Sequence, residues 1–310
     1  MSVERVHGSN KRTARCRCRA ASEPTSKETP IVARPLMNSL RCVILLVSSF
    51  AFSQSDRFST TGTNREAQNL VADTLRSIRQ SAFTVGERLV FDVGYSFITA
   101  GEAVFQVLTA DSVRGRECLR VVFTVNSVPS FSWIYKVEDR YETLLDAKGI
   151  FPWRFTQHVR EGKYSRDFTA DFDQVNNTAK TPDGTYPIPP YVHDVVSAFY
   201  YVRTMDFSNS RVGEKYVLSN FFKDSTYQLA VKYLGRQQIS VDAGLFRTII
   251  VEPLIKEGGL FKSEGRVLLW LTDDDRKIPV KVSTKVVVGS IDAELREYHG
   301  VLEPVNAKVK

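Results

Sequence analysis

A chain of 310 residues with 43% hydrophobic and 11% aromatic residues is long enough to bury a substantial core, as one large domain or two smaller ones. Its formal charge of +7 suggests a nucleic-acid or anionic-membrane partner until the charges are placed. Residues 1–53 hold nine Lys/Arg against three acids, leaving 33 basic and 32 acidic residues beyond Ser53, so the folded part is nearly neutral and a nucleic-acid partner loses its support.

The N-terminal charge has its own logic. Met37-Asn-Ser-Leu-Arg41 is a short basic stretch, and Cys42–Phe52 is an apolar run too short to span a bilayer with ease. Ala51 and Ser53 supply small residues for a cleavage site before Gln54. The pattern predicts a secretory signal peptide over Met37–Ser53 and an exported, periplasmic protein; the competing reading is an uncleaved anchor. Residues 1–36 read as a disordered leader or an over-extended gene model, 54–82 as a linker, 83–300 as a β-rich domain and 301–310 as a tail. No cysteine follows the apolar run where a lipoprotein would carry its lipid. Cys118 stands alone beyond that run, so it has no disulfide partner there and reads as a core thiol.

From Phe83 onward the pattern alternates with period two. Gly86-Glu-Arg-Leu-Val-Phe-Asp-Val-Gly-Tyr95 puts Leu89, Phe91 and Val93 on one face of a strand. Ala100–Val107 follows, with Gly101 at a bulge or bend, then strands over Leu119–Val125 and Trp133–Leu145. Glu161-Gly-Lys163 is a hairpin turn between Phe155–Arg160 and Tyr164–Phe172. Thr181–Pro190 reads as a turn-rich connection.

Then the period changes. Tyr191–Arg203 carries Val192, Val195, Val196, Phe199 and Val202 at helical spacing, and Asp194 is placed to cap the first turn. A second hairpin turns at Lys223-Asp224, and strands follow over Phe246–Glu252, Arg266–Thr272, Ile278–Val288 and Ile291–Tyr298. The fold class expected is mainly β: an antiparallel curved sheet or half-barrel around one central amphipathic helix. Gly86-Glu-Arg and Gly213-Glu-Lys, each opening a strand, raise the possibility of two related halves.

The opening Gly86–Ala103, the helix Asp194–Arg203, the stretch Gly265–Val280 and Val288–Leu295 together resemble the bacterial domain-of-unknown-function 3108 family over roughly Phe83–Tyr298. That resemblance implies an exported, antiparallel β-rich envelope protein and brings no catalytic residues with it. By fold analogy such sheets are similar to the lipoprotein-carrier half-barrels of the periplasm, although a fold does not fix a function.

The search for chemistry yields little. Asp273-Asp-Asp275 could offer oxygen ligands to a cation but reads as a solvated turn. His193, Asp194 and Ser197 crowd one helical turn, where a triad's geometry is rarely met. His193 reads instead as a surface or hinge residue. No catalytic residue, metal or cofactor is therefore expected. The positive signal is apolar: Phe91, Phe105, Phe123, Phe155, Phe168, Tyr227 and Trp270 are expected on the inner face, with Leu260 and Phe261 beside Gly258-Gly259 as a lid. Side chains fill the inside of most small barrels, so a solid core and a ligand cavity both remain open. The leading expectation is an envelope protein that binds a hydrophobic or amphipathic molecule such as a lipid. Its rival is an assembly factor that binds an envelope protein or a polysaccharide through the outer face.

Overall fold

The computed structural model describes residues 75–95, 98–255, 266–285 and 290–309. The chain first lays down β1 (Arg88–Tyr95), β2 (Ile98–Val113), β3 (Arg116–Ser127), the single-turn α1 (Pro129–Ser132), β4 (Glu138–Asp146), β5 (Pro152–Glu161) and β6 (Tyr164–Asp173). The short β7 (Thr178–Thr181) and β8 (Gly184–Pro187) follow, then α2 (Val195–Arg203). The second run is β9 (Lys215–Phe222), β10 (Ser225–Val241), β11 (Gly244–Ile255), β12 (Val267–Thr272), β13 (Pro279–Lys285) and β14 (Ser290–His299).

The fourteen strands of the described residues join one curved antiparallel sheet in the order β8-β7-β6-β5-β4-β3-β2-β1-β14-β13-β12-β11-β10-β9. Two meanders thus meet where β1 pairs with β14. Hairpins need only local pairing, which explains each meander. The β1–β14 ladder is the long-range step that makes them one sheet.

The edge strands are β8 and β9. Among the described residues no ladder closes them, but side chains draw this region together: Thr181 Oγ1 donates to Asp224 Oδ1 at 2.7 Å, and Phe221 meets Phe172 with ring centroids 5.7 Å apart. Inside the curve lies α2. Its Val196 and Tyr200 pack with Tyr141, Phe155 and Phe168 of the first meander, while Ala198 and Val202 pack with Leu218, Val231, Ile249 and Leu271 of the second. One helix therefore buries apolar surface for both meanders.

The two meanders open with the same local geometry. Gly86 and Gly213 have φ of 93° and 94°. Gly86 N–H donates to Val107 O and Gly213 N–H to Tyr233 O, and in each case the next residue's N–H donates three residues back, to Thr84 O and Arg211 O. Only glycine takes that φ without strain. The repeated Gly-Glu pair marks a shared device for starting a meander.

Four expectations are corrected. The helix begins at Val195, not at Tyr191, because Tyr191 turns into left-handed backbone (φ 57°) and Asp194 is the N-cap. The Trp133–Val137 part of an expected strand precedes β4 instead: Pro129, at the first turn of α1, starts a helical turn and the strand begins only at Glu138. Thr181–Pro187 contains half of a small hairpin, hidden by its turn-rich composition. His193 is 1% exposed, in a deep contact described below. Gly101 does sit at an irregularity, where the β1–β2 register shifts, and a Cβ there would lie 2.8 Å from Asn126 O. Residues 301–309, read as a tail, run along β11: Arg247 N–H donates to Ala307 O and Val309 N–H to Leu245 O.

Cys118 is buried between Phe151 and Trp153, and burial pushes its thiol up to about 11. A neutral thiol is a poor nucleophile. Peptide mapping after iodoacetamide treatment at neutral pH is expected to find Cys118 unmodified in the native protein and modified in urea; rapid native labelling would contradict this placement.

Candidate functional site

The inner face is not fully filled. A cavity of about 210 Å³ lies between α2 and the sheet. Alternation supplies its walls: Phe91 and Val93 from β1, Ala103 and Phe105 from β2, Phe123 and Val125 from β3, Leu269 and Leu271 from β12. The helix supplies the floor with Val195, Val196, Ala198, Phe199 and Val202. Among the lining side chains only Asn220 and Tyr141 carry polar groups, and the Tyr141 hydroxyl donates to Asp139 Oδ2 at 3.3 Å.

A row of rings spans the cavity wall. Phe105 stacks on Phe123 with centroids 4.1 Å apart and on Phe199 of α2 at 5.0 Å. All three remain half-buried although they point inward. That residual exposure is the signature of unfilled interior space, because tightly packed core rings leave none.

The predicted residues divide. Phe91, Phe105 and Phe123 line the cavity. Phe155 and Phe168 point inward but are buried in the cluster around Val192 and Tyr200, beside the cavity rather than on it. Tyr227 is half-buried and is not among the lining residues. Trp270 lies between the lining residues Leu269 and Leu271, so the period of two turns it to the opposite face, where its Nε1–H donates to Gln237 Oε1 at 3.0 Å. Leu260 and Phe261 lie outside the described residues.

What the sequence reading missed is the helix's share and the small residues. The apolar stripe on α2 is legible in the sequence, but its share in lining a cavity is not. Ala103, Ala198 and Ala293 make room by what they lack, and no composition signal announces that.

The helix is held hard at both ends. At its start Asp194 Oδ1 accepts from the N–H groups of Val196 and Ser197 at 2.7 and 3.0 Å and from Thr143 Oγ1 at 2.9 Å, while Ser197 Oγ accepts from Asp194 N. This is a capping box. The His193 ring lies tilted against Tyr201, centroids 4.7 Å apart, and its Nε2 lies 3.4 Å from Arg76 Nη2. Arg76 is itself held between the Tyr191 and Tyr201 rings, 4.6 Å from each centroid. Burial, with Arg76 adding to it, holds the His193 imidazole well below its usual range and so neutral. The three residues considered for a triad thus serve the helix start. At the other end Arg203 forms a bidentate pair with Glu87, at 2.6 and 2.8 Å.

The Asp273–Asp275 turn is occupied by its own neighbours. Asp274 accepts from Thr272 Oγ1, Arg276 N and Ala307 N, and Asp273 pairs with Arg236 at 2.8 Å. Among the described residues no three His, Cys, Asp or Glu side chains are grouped to hold a metal ion.

Two buried carboxyls give the fold a pH dependence. Burial raises Asp139 to about 6, against hydrogen bonds donated by Arg160 N–H and Tyr141 and one shared with the Glu161 carboxyl. Burial likewise raises Asp194 to about 6 against its capping bonds. An unfolded Asp releases its proton near pH 4. Between about pH 4 and 6 the folded state therefore holds protons that the unfolded chain has lost, and stability falls as pH rises through that window. The slope is at most about 1.4 kcal/mol per pH unit for each group. Urea midpoints measured across this range are expected to fall, and Asp139→Asn is expected to flatten the profile. A midpoint rising steadily from pH 4 to 6 would overturn the assignment.

Residues 90–296 match the model of the family described as Protein of unknown function (DUF3108). The chain belongs to this family. No curated protein sequence matches it. Among solved structures, the DUF3108 chain is similar to a β-barrel-like protein of domain of unknown function DUF1849 from Brucella abortus, with 10% identity over 72% of this chain and 100% of that one, at a TM-score of 0.48. It is also similar to the hypothetical protein CT021 from Chlamydia trachomatis, with 8% identity over 78% and 96% of the two chains and a TM-score of 0.32. The Mycobacterium tuberculosis lipoprotein LppX aligns at 10% identity over 78% and 96%, with a TM-score of 0.13. At these scores the function has to be argued from the cavity itself.

Proposed function

We propose that this DUF3108 protein is an exported, periplasmic binder of a hydrophobic or amphipathic ligand, which it holds by an apolar chain inside the sheet without chemistry. The cavity carries this reading. At about 210 Å³ it exceeds the ~150 Å³ apolar cavity that takes a benzene and falls short of the ~300 Å³ at which drug-sized sites begin. That size suits part of an alkyl or isoprenoid chain, with the remainder of the molecule outside. Phe91, Phe105 and Phe123 would contact the chain.

The outer face supports binding within rather than without. It carries exposed ion pairs such as Arg154–Asp171, Arg140–Glu142 and Arg160–Asp167. No described helix is long and apolar enough to cross a membrane. Export through the signal peptide Met37–Ser53 is part of the proposal; those residues lie outside the described ones.

Native mass spectrometry on protein purified from cells without detergent tests the reading. A reproducible added mass that solvent extraction releases as a lipid is expected. A clean apo mass across independent preparations would count against a carrier.

A further inference from the structure

The polar content of the cavity is concentrated at one point. None of its lining residues is Asp, Glu, Lys, Arg or His, and only Tyr141 and Asn220 bring hydrogen-bonding side chains. The Tyr141 hydroxyl already donates to Asp139 Oδ2. Asn220 is different. Its half-buried side chain has no hydrogen bond to another described residue, which leaves two amide donors and a carbonyl acceptor open.

The backbone fixes where that amide stands. On one side Asn220 pairs with Tyr227 of β10. On the other, the chain entering α2 bridges to it: His193 N–H donates to Ser219 O at 2.9 Å and Phe221 N–H to His193 O at 2.7 Å. Leu218, two residues back, packs with Val231 and Ile249 in the core, so the period of two turns Asn220 to the same inner face. The amide therefore stands where β9 meets the start of α2. The rings of Phe91, Phe105 and Phe123 are carried by β1–β3, away from that edge of the sheet. The ionisable groups nearest Asn220 along these segments are engaged elsewhere: Asp194 caps α2, His193 is neutral, Asp224 accepts from Thr181 Oγ1, and Lys223 Nζ lies 5.4 Å from the Phe222 ring centroid.

We infer that Asn220 reads the ligand's first polar group, and that this group is uncharged: an ester or alcohol oxygen at the head of the apolar chain, not a carboxylate or phosphate. An ester carbonyl or a hydroxyl accepts from Asn220 Nδ2–H, and a hydroxyl also donates to Oδ1. An anion at this point would leave water for walls that hold no cation to pair with it, and one neutral amide does not offset that cost. A plain hydrocarbon would leave the amide's capacity unused. Given the binder reading, on which this rests, long-chain esters and alcohols fit the cavity, whereas free fatty acids and alkyl phosphates do not.

Displacement of the uncharged fluorophore N-phenyl-1-naphthylamine from delipidated protein tests this at about pH 8, where decanoate is ionised. Decanol and methyl decanoate are expected to displace it at concentrations about tenfold or more below those of decanoate and decyl phosphate. Asn220→Leu, close to the original in volume, is expected to weaken decanol and methyl decanoate by about fivefold, the worth of one hydrogen bond. Toluene, which has no polar group, should bind this variant like wild type, and that binding also shows the variant to be folded. Decanoate or decyl phosphate binding wild type as tightly as decanol would overturn the inference. So would an Asn220→Leu variant that holds decanol and methyl decanoate like wild type. If the fluorophore and every probe, toluene included, fail to bind wild type, the binder reading falls and takes this one with it. Lost discrimination with toluene still bound removes only the role of Asn220.

Discussion

Glu87→Gln is expected to lower the unfolding free energy by about 3–5 kcal/mol, out of a total of roughly 5–15 kcal/mol for a typical domain. Both partners of the Glu87–Arg203 pair have fully buried side chains, so neither can turn to water when the other is changed. The Arg203 guanidinium lies against the Phe83 and Tyr200 rings, with centroids 5.3 and 5.0 Å away, and also donates to Ala82 O and Arg276 O. Without the Glu87 charge it would remain a buried cation with carbonyls and ring faces around it but no anion to pair with. Burial alone would lower its pKa, but Glu87 outweighs that and raises it, so the cation persists. Its place in the last turn of α2 adds a favourable dipole term.

The check is a urea denaturation series followed by far-UV circular dichroism. A Glu87→Gln midpoint within about 1 kcal/mol of wild type would mean the pair is not buried as described. Glu87→Leu/Arg203→Met is expected to recover only part of the loss. The double change removes the stranded charge but leaves the Ala82 and Arg276 carbonyls without their donor. Function should follow stability here, because the pair fixes the end of the helix that floors the cavity.

How much of this was legible depends on whether the signal was local. Strands with one face inward write a period of two into the chain, so most of the ladder could be read in advance, and the Val192–Val202 stripe announced α2. Its starting point could not be placed from that stripe, since Val192 belongs to the apolar pattern while Tyr191 has already broken the backbone. α1 has one turn and no period; Pro129 was its only sign. The pairing of β1 with β14 joins residues some two hundred apart, and nothing in either strand names the other. Trp270 is expected on the inner face, but the parity set by Leu269 and Leu271 turns it to the other one. Counting from a neighbour of known face would have corrected it. The alanines could not be found that way, because space is a property of facing elements together.

Val195→Trp, and separately Leu269→Trp, are expected to empty the cavity of ligand while leaving the fold intact. Val195 rises from the floor on α2 and Leu269 faces inward from β12; both are half-buried and both line the cavity. An indole at either position would occupy much of a space of about 210 Å³. Overpacking a filled core costs about 1–3 kcal/mol, but here the added rings enter space that is already vacant, so the stability cost should sit at the low end. Ligand binding should suffer more, with occupancy falling by about tenfold for every 1.4 kcal/mol of lost contact. Trp270→Phe is the matched control, since it alters an aromatic on the same strand but on the opposite face. Native mass spectrometry should show the added mass in wild type and Trp270→Phe and its loss in the two blocking variants. If both blocked proteins kept the same added mass at the same occupancy, the ligand would have to sit elsewhere, and the cavity would be reduced to a packing defect beneath α2.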